Sequence, residues 1–295
     1  VKKVSLIFIT VLLTAILAAC GEEEATGGNN EGGVDRNVTI TLGVTPWTST
    51  IPPTYIVKEI LEDLGYQVEL MSADAGGVFA GLARGDIDVF MDSWLPDMHR
   101  NFMERYGDDL VELSVSYTEG ELGWVVPTYM EDINSMEDLI GNEDIIHDNT
   151  VYGIEEGAPM GETSRAMIED FGLNLEYMPS SEGGMLAQAQ RIIADEEPVI
   201  FLGWRPHPMF VNFDLKVLEG QEGYFDTSEV RVIGNAVLQE KAPEVYDFLS
   251  NWSIDVSDIE EMIIEYDENG VPEEEMARTW IENNQDKVDE MLGNN

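Results

Sequence analysis

The chain has 295 residues, 59 acidic against 15 basic, for a formal charge of −44 at pH 7, and it carries a single cysteine. Such a charge repels nucleic acid and anionic headgroups, and one cysteine excludes a disulfide framework and any cysteine-based metal site. The acidic residues are spread widely, among them Glu59, Glu62, Asp63, Asp108, Asp109, Glu260, Glu261, Glu273, Glu274 and Glu275, with no single acidic tail. They read as a solvated shell suited to high salt, which screens its self-repulsion.

At the start, Lys2 and Lys3 precede a mostly apolar run over 4–19 that ends Leu17-Ala18-Ala19-Cys20-Gly21. A basic start, a short apolar stretch and small residues read as a secretory signal over 1–19, too short for a comfortable membrane span. Leu-Ala-Ala-Cys resembles a bacterial lipobox, which implies that Cys20 is acylated and becomes the new N-terminus. Lipid on Cys20 would hold the protein on the extracellular face of the cell membrane. Residues 20–36, rich in Glu, Gly and Asn, bury too little to fold and are expected to be a flexible tether.

Residues 38–44 alternate apolar and polar as a strand does, and Pro52-Pro53 opens a helix that Gly65 stops. A strand over 67–71, a short helix over 78–84 ended by Gly85, and a strand over 88–91 leading into Trp94 complete a first α/β series. Pro96 suits the first position of a helix running to Tyr106, and 122–126 reads as a strand ended by Pro127. A second series follows: strand 151–154, helix 161–171, strand 175–178, helix 185–194, and strand 199–202 into Trp204. The tail, 243–292, reads as helices. Two α/β units imply two lobes with a cleft, and in open α/β sheets the ligand lies beyond the carboxyl ends of strands.

Trp47, Trp94 and Trp204 each follow or close an apolar run beside a proline turn, in V-T-P-W, D-S-W-L-P and L-G-W-R-P. Three indoles brought together from distant segments suit a quaternary ammonium ion, which donates no hydrogen bond but is drawn to aromatic faces. Trp124, Trp252 and Trp280 stand in a strand or on helix faces and are expected in the core. His207 is placed to support the Trp204 turn, and His147 stands in an acidic loop without a visible partner. Asp92, close to Trp94, could add a negative charge to the box, but a hydrogen-bonding role within its turn is the expectation.

The segments Gly43 to Thr50, Asp86 to His99, Gly153 to Met160 and Gly203 to Phe210 resemble those of glycine betaine/proline betaine substrate-binding lipoproteins of ABC importers. Trp-Leu-Pro-x-x-His and Gly-Trp-x-Pro-His are the more specific parts. The resemblance implies a two-lobed, periplasmic-binding-protein-like (type II) α/β fold with the ligand cleft between the lobes, in the permuted order with the two-Trp lobe first. Lobe 1 would cover 37–125 with the C-terminal helices 236–295, and lobe 2 would cover 126–235. Hinges are expected near 123–127 and 231–234. It also implies that Trp47, Trp94 and Trp204 wall the trimethylammonium head and that His99 contacts the ligand carboxylate. Backbone amides of Met160 and Gly161 would hold the same carboxylate, with Pro159 standing where the family pattern has a donating glycine. The partners implied are glycine betaine or a related compatible solute, an ABC permease and the membrane, with a monomer, no nucleic acid, no cofactor and no metal ion.

Two other readings remain at this level. A secreted hydrolase could use paired carboxylates, although no Gly-x-Ser-x-Gly, His-Glu-x-x-His or P-loop pattern is present. A binding protein for choline or carnitine would use the same cage.

Overall fold

The structure is a computed structural model that describes residues 36–96 and 98–294. The expected signal, Cys20 and all of the tether except Arg36 lie outside the described residues. Arg36 itself joins the folded body, its guanidinium donating to both oxygens of Glu244.

The first α/β series is β1 (Thr39–Val44), α1 (Ile51–Asp63), β2 (Gln67–Ser72), α2 (Ala75–Arg84) and β3 (Val89–Leu95). Helix α1 opens on Pro52 and Pro53, where the missing N–H groups cost nothing, and turns Ile56, Val57, Ile60 and Leu61 into the core. Burying each of these aliphatic side chains contributes roughly 1.5–3 kcal/mol. Helix α2 is capped at one end by Asp74, which accepts from the Gly77 N–H, and ends at Gly85 in the left-handed region.

Next come α3 (Arg100–Tyr106) and β4 (Leu110–Pro127), then α4 (Met136–Leu139), β5 (Thr150–Gly153), α5 (Pro159–Asp170) and β6 (Glu176–Pro179). The second series closes with α6 (Glu182–Ala194), β7 (Ile200–Arg205), α7 (Met209–Asn212) and β8 (Leu215–Val217), after which β9 (Ser228–Asn235) returns to the first. The tail is helical, in α8 (Leu238–Lys241), α9 (Pro243–Ser250), α10 (Val256–Ile263), α11 (Glu273–Asn283) and α12 (Gln285–Met291). Helix α11 packs against α1, which puts the tail on the first lobe.

Strand order is β2-β1-β3-β9-β4-β7-β5-β6, with β8 also on β4. Strands β1, β2 and β3 run parallel, as do β5, β6 and β7, and the antiparallel β4 and β9 join the two sets. Strand β4 pairs with β9 through Gly120 and with β7 from Glu121 onward, so one strand serves both lobes. That change of partner lies on the N-terminal side of the crossing expected at 123–127. The return expected at 231–234 lies within β9, whose pairing with β4 already begins at Ser228. No helix among the described residues is long and apolar enough to cross a membrane.

Two sequence expectations are corrected. Pro96 does not open a helix: β3 runs on to Leu95, the chain turns with the His99 N–H on the Trp94 carbonyl, and α3 starts at Arg100. The strand expected over 122–126 is only the end of β4, whose first part and whose partner β9 were not anticipated.

Candidate functional site

Each cage tryptophan sits where its strand runs out. Trp47 follows β1, while Trp94 and Trp204 are the next-to-last residues of β3 and β7. Beyond these carboxyl ends lies a small cavity lined by Trp47, Ser49, Trp94, Met98, Leu122, Ile154, Met160 and Trp204. The three indoles are 2–4% exposed. Both lobes contribute, and β4 supplies Leu122, paired in register with Trp204. Among the described residues no charged side chain lines the cavity, and Ser49 is its one hydroxyl.

The Trp94 wall is wired locally. Its Nε1–H donates to Asp92 at 3.0 Å, and the same carboxylate accepts from the Ser49 and Thr50 hydroxyls at 2.8 Å each. The hydrogen-bonding role expected of Asp92 is therefore observed. Burial pushes the Asp92 carboxyl up to about 6, against the lowering influence of those donors. Tyr117 stands edge-on to the Trp94 ring at 6.4 Å. Gly120 lies beneath the ring, where an added Cβ would meet Trp94 Cζ3 at 2.8 Å.

Trp47 is held from the opposite lobe: its Nε1–H donates to Glu155 at 3.0 Å. Burial raises the Glu155 carboxyl from its usual range. The neighbouring Thr48 N–H donates to Glu182 at 3.2 Å, and the Thr48 carbonyl accepts from the Tyr266 hydroxyl at 2.9 Å. Glu182 also bonds His207 Nε2 at 3.2 Å, His207 Nδ1 accepts from the Met209 N–H, and the His207 ring stands edge-on to Trp204 at 5.0 Å. His207 thus supports the Trp204 turn as expected.

His99 does not line the cavity. It is fully buried, with its ring stacked beside Trp47 at 5.8 Å and near Phe79 at 5.1 Å. Burial lowers its pKa to about 3, so it is neutral. Its Nδ1 accepts from the Trp94 N–H at 2.9 Å, which places the ring proton on Nε2. That Nε2–H is buried and without a partner among the described residues.

Of the two amides expected at the start of α5, only one remains free of its own turn. Gly161 donates its N–H to the Ala158 carbonyl and does not line the cavity; it is a glycine that packs closely, since a Cβ would meet the Tyr177 hydroxyl at 3.1 Å. Pro159 is the first helical residue, where its missing N–H is tolerated, and Met160 is the second, lining the cavity at the positive end of α5.

Ser49, Met98, Leu122 and Ile154 were not singled out in the sequence. Met98 falls between Trp94 and His99, and Ile154 ends the strand expected over 151–154, so both stood beside visible signals. Trp124, Trp252 and Trp280 are buried core residues as expected. His147 is corrected: it does have partners, Glu197 at 2.6 Å and Asp148 at 3.3 Å.

An apolar, three-tryptophan cavity between two α/β lobes defines a small-molecule binding protein. The chain belongs to the family described as the substrate binding domain of ABC-type glycine betaine transport systems, which it matches over residues 38–283. That family is one of binding domains, which sets aside the hydrolase reading. A glycine betaine/carnitine transport binding protein of Listeria monocytogenes is 34% identical over 143 residues, or 47% of this chain and 47% of that protein. The chain therefore aligns with just under half the length of this relative. Among solved structures, the lactococcal OpuAC in its closed form with glycine betaine is 26% identical, with a TM-score of 0.79 over 87% of this chain and all of that one. An ABC-transporter choline binding protein in complex with choline is likewise 26% identical, with a TM-score of 0.81 over 87% of this chain and 92% of that one.

Proposed function

We propose that this protein captures glycine betaine, or a quaternary ammonium compatible solute close to it, outside the cell and delivers it to an ABC permease. The observation that carries this reading is the cavity enclosed by Trp47, Trp94 and Trp204. A trimethylammonium head has no hydrogen bond to offer, so a cavity whose described lining is three indoles, aliphatic and thioether side chains and one hydroxyl suits it. Each face contributes about 0.5–2 kcal/mol, the larger value in a desolvated cage.

The carboxylate of glycine betaine would take the Met160 N–H at the start of α5 and the Nε2–H of His99. The first is favoured by the helix dipole. The second is a neutral donor whose tautomer is fixed by the Trp94 N–H and which finds no partner within the chain. Gly161 supports this turn by packing instead of donating. Choline lacks the carboxylate and would leave both donors unused, so glycine betaine is preferred.

The lobes would be 37–125 with 236–295, and 126–235, closing through β4 and the segment before β9. We further propose that Cys20 carries the lipid that anchors the protein to the membrane's outer face, that the protein acts as a monomer, and that its service is osmoprotection. The −44 charge suits saline surroundings, where compatible solutes are in demand.

Tryptophan fluorescence titration tests the cage. Glycine betaine should give a saturable change that is weaker with choline and lost in Trp204→Ala. No response to any quaternary amine would refute the reading. For the anchor, Cys20→Ala should move the protein from the membrane fraction to the medium.

A further inference from the structure

Two of the three cage indoles give their N–H to a carboxylate: Trp94 to Asp92 and Trp47 to Glu155. The carboxylates come from opposite lobes, and neither lines the cavity. Asp92 is completely buried, and its partners are all neutral: the Ser49 and Thr50 hydroxyls and the Trp94 indole. Among the described residues no lysine or arginine bonds either carboxylate, unlike Asp88, which pairs with Lys241. A charge kept out of water without a counter-ion is costly, so its retention calls for a compensating cation. The cavity is close to Asp92: Trp94 and Ser49, which both line it, donate to the Asp92 carboxylate.

We propose that Asp92 and Glu155 are the counter-charges of the cage, set at the N–H edges of its indoles, and that they make a cavity whose described lining carries no charge select a cation over a neutral group of the same shape. This rests on the cage reading above. Two effects act together. Each carboxylate, at the edge of a buried indole, attracts a cation in the cavity through a low-dielectric surrounding, where screening by water is weak. Each also polarises the indole through its N–H bond, drawing electron density toward the face that the cation meets. Neither residue lines the cavity; both act on the ligand at a distance, by their charge and through the tryptophans. Burial raises the pKa of both carboxyls, as expected for anions whose counter-charge arrives with the ligand.

The test uses glycine betaine and its carbon analogue 3,3-dimethylbutanoate, in which a tert-butyl group replaces trimethylammonium and the carboxylate is kept. Both are titrated calorimetrically into wild type, Asp92→Asn and Glu155→Gln, with thermal melts to establish folding. Each variant retains an amide oxygen to accept the indole N–H while losing the charge. Glycine betaine affinity should fall about tenfold or more in each variant, while affinity for the carbon analogue stays level or rises. Glu155→Gln, at a half-buried position, keeps the test available if Asp92→Asn fails to fold. Parallel losses for both ligands, or no loss for either, would overturn the inference and leave the cage standing. Wild-type protein that ignores glycine betaine would overturn the cage reading and this inference with it.

Discussion

In both lobes a strand ends on a buried tryptophan with a proline two residues on, Trp94-Leu95-Pro96 and Trp204-Arg205-Pro206, and a histidine follows within a turn. The support behind them differs. Around Trp94 every partner is near in sequence or in the same lobe: Asp92 takes the indole N–H, His99 takes the backbone N–H, and Ser49 and Thr50 brace Asp92. Around Trp204 the support passes through His207 to Glu182, and Glu182 in turn reaches across to the Thr48 N–H. The Trp94 wall thus stands on a platform built within its own lobe, whereas the support of the Trp204 wall is tied to the Thr48 N–H of the other.

The sharpest way to break this difference is to remove each wall. Trp94→Ala should cost about 3–5 kcal/mol of stability, the range for a buried aromatic cut to Ala, as well as abolishing tight glycine betaine binding. Trp204→Ala should abolish binding to the same degree with less loss of stability, as denaturant titration would show. Next in size, Glu182→Ala leaves the buried His207 without its partner and should cost about 1–3 kcal/mol. Amide exchange should rise over 200–213 and stay unchanged over 89–95, and uniform exchange across both strands would contradict the platform picture.

The pH response follows from Asp92. Its folded pKa of about 6 lies above the ordinary 3.8, so its contribution to stability is greatest at low pH and is lost as pH rises through 6. Ligand affinity runs the other way, because only the ionised carboxylate attracts the cation. Glycine betaine binding should therefore weaken from pH 7.5 to 5, and should weaken less in Asp92→Asn. The groups facing Asp92 are Ser49 and Thr50 ahead of α1, Trp94 on β3 and Tyr117 on β4; Tyr117 is itself raised well above its usual range by burial and by Asp92, and none is a cation. His99, held near 3, stays neutral throughout this window. The smallest effect is expected of Gly120→Ala, whose methyl group must displace the Trp94 ring and should lower affinity about three- to tenfold.

What the sequence made legible was local. Proline beside tryptophan at the end of an apolar run marked all three walls, and the two α/β series were readable from their periodicity and their glycine stops. What it hid was long-range or acidic. The bond from Trp47 to Glu155 spans 108 positions, and nothing in Glu155-Glu156 separates the residue that meets an indole from the one that pairs with Arg165. Strand β4 was half missed because its first part carries acidic and hydroxyl residues on an exposed side and shifts register against β9 three times. The resemblance puts His99 at the ligand, but nothing local signals that its ring packs beside Trp47 among Phe79, Phe90 and Phe102, which come from three elements.

The measurement that tests the account most directly is a crystal structure of the complex with glycine betaine. The trimethylammonium group should lie within about 6 Å of the Trp47, Trp94 and Trp204 ring centroids, with the carboxylate on the Met160 N–H and His99 Nε2. A ligand bound elsewhere, or one whose carboxylate faces the indoles, would contradict it.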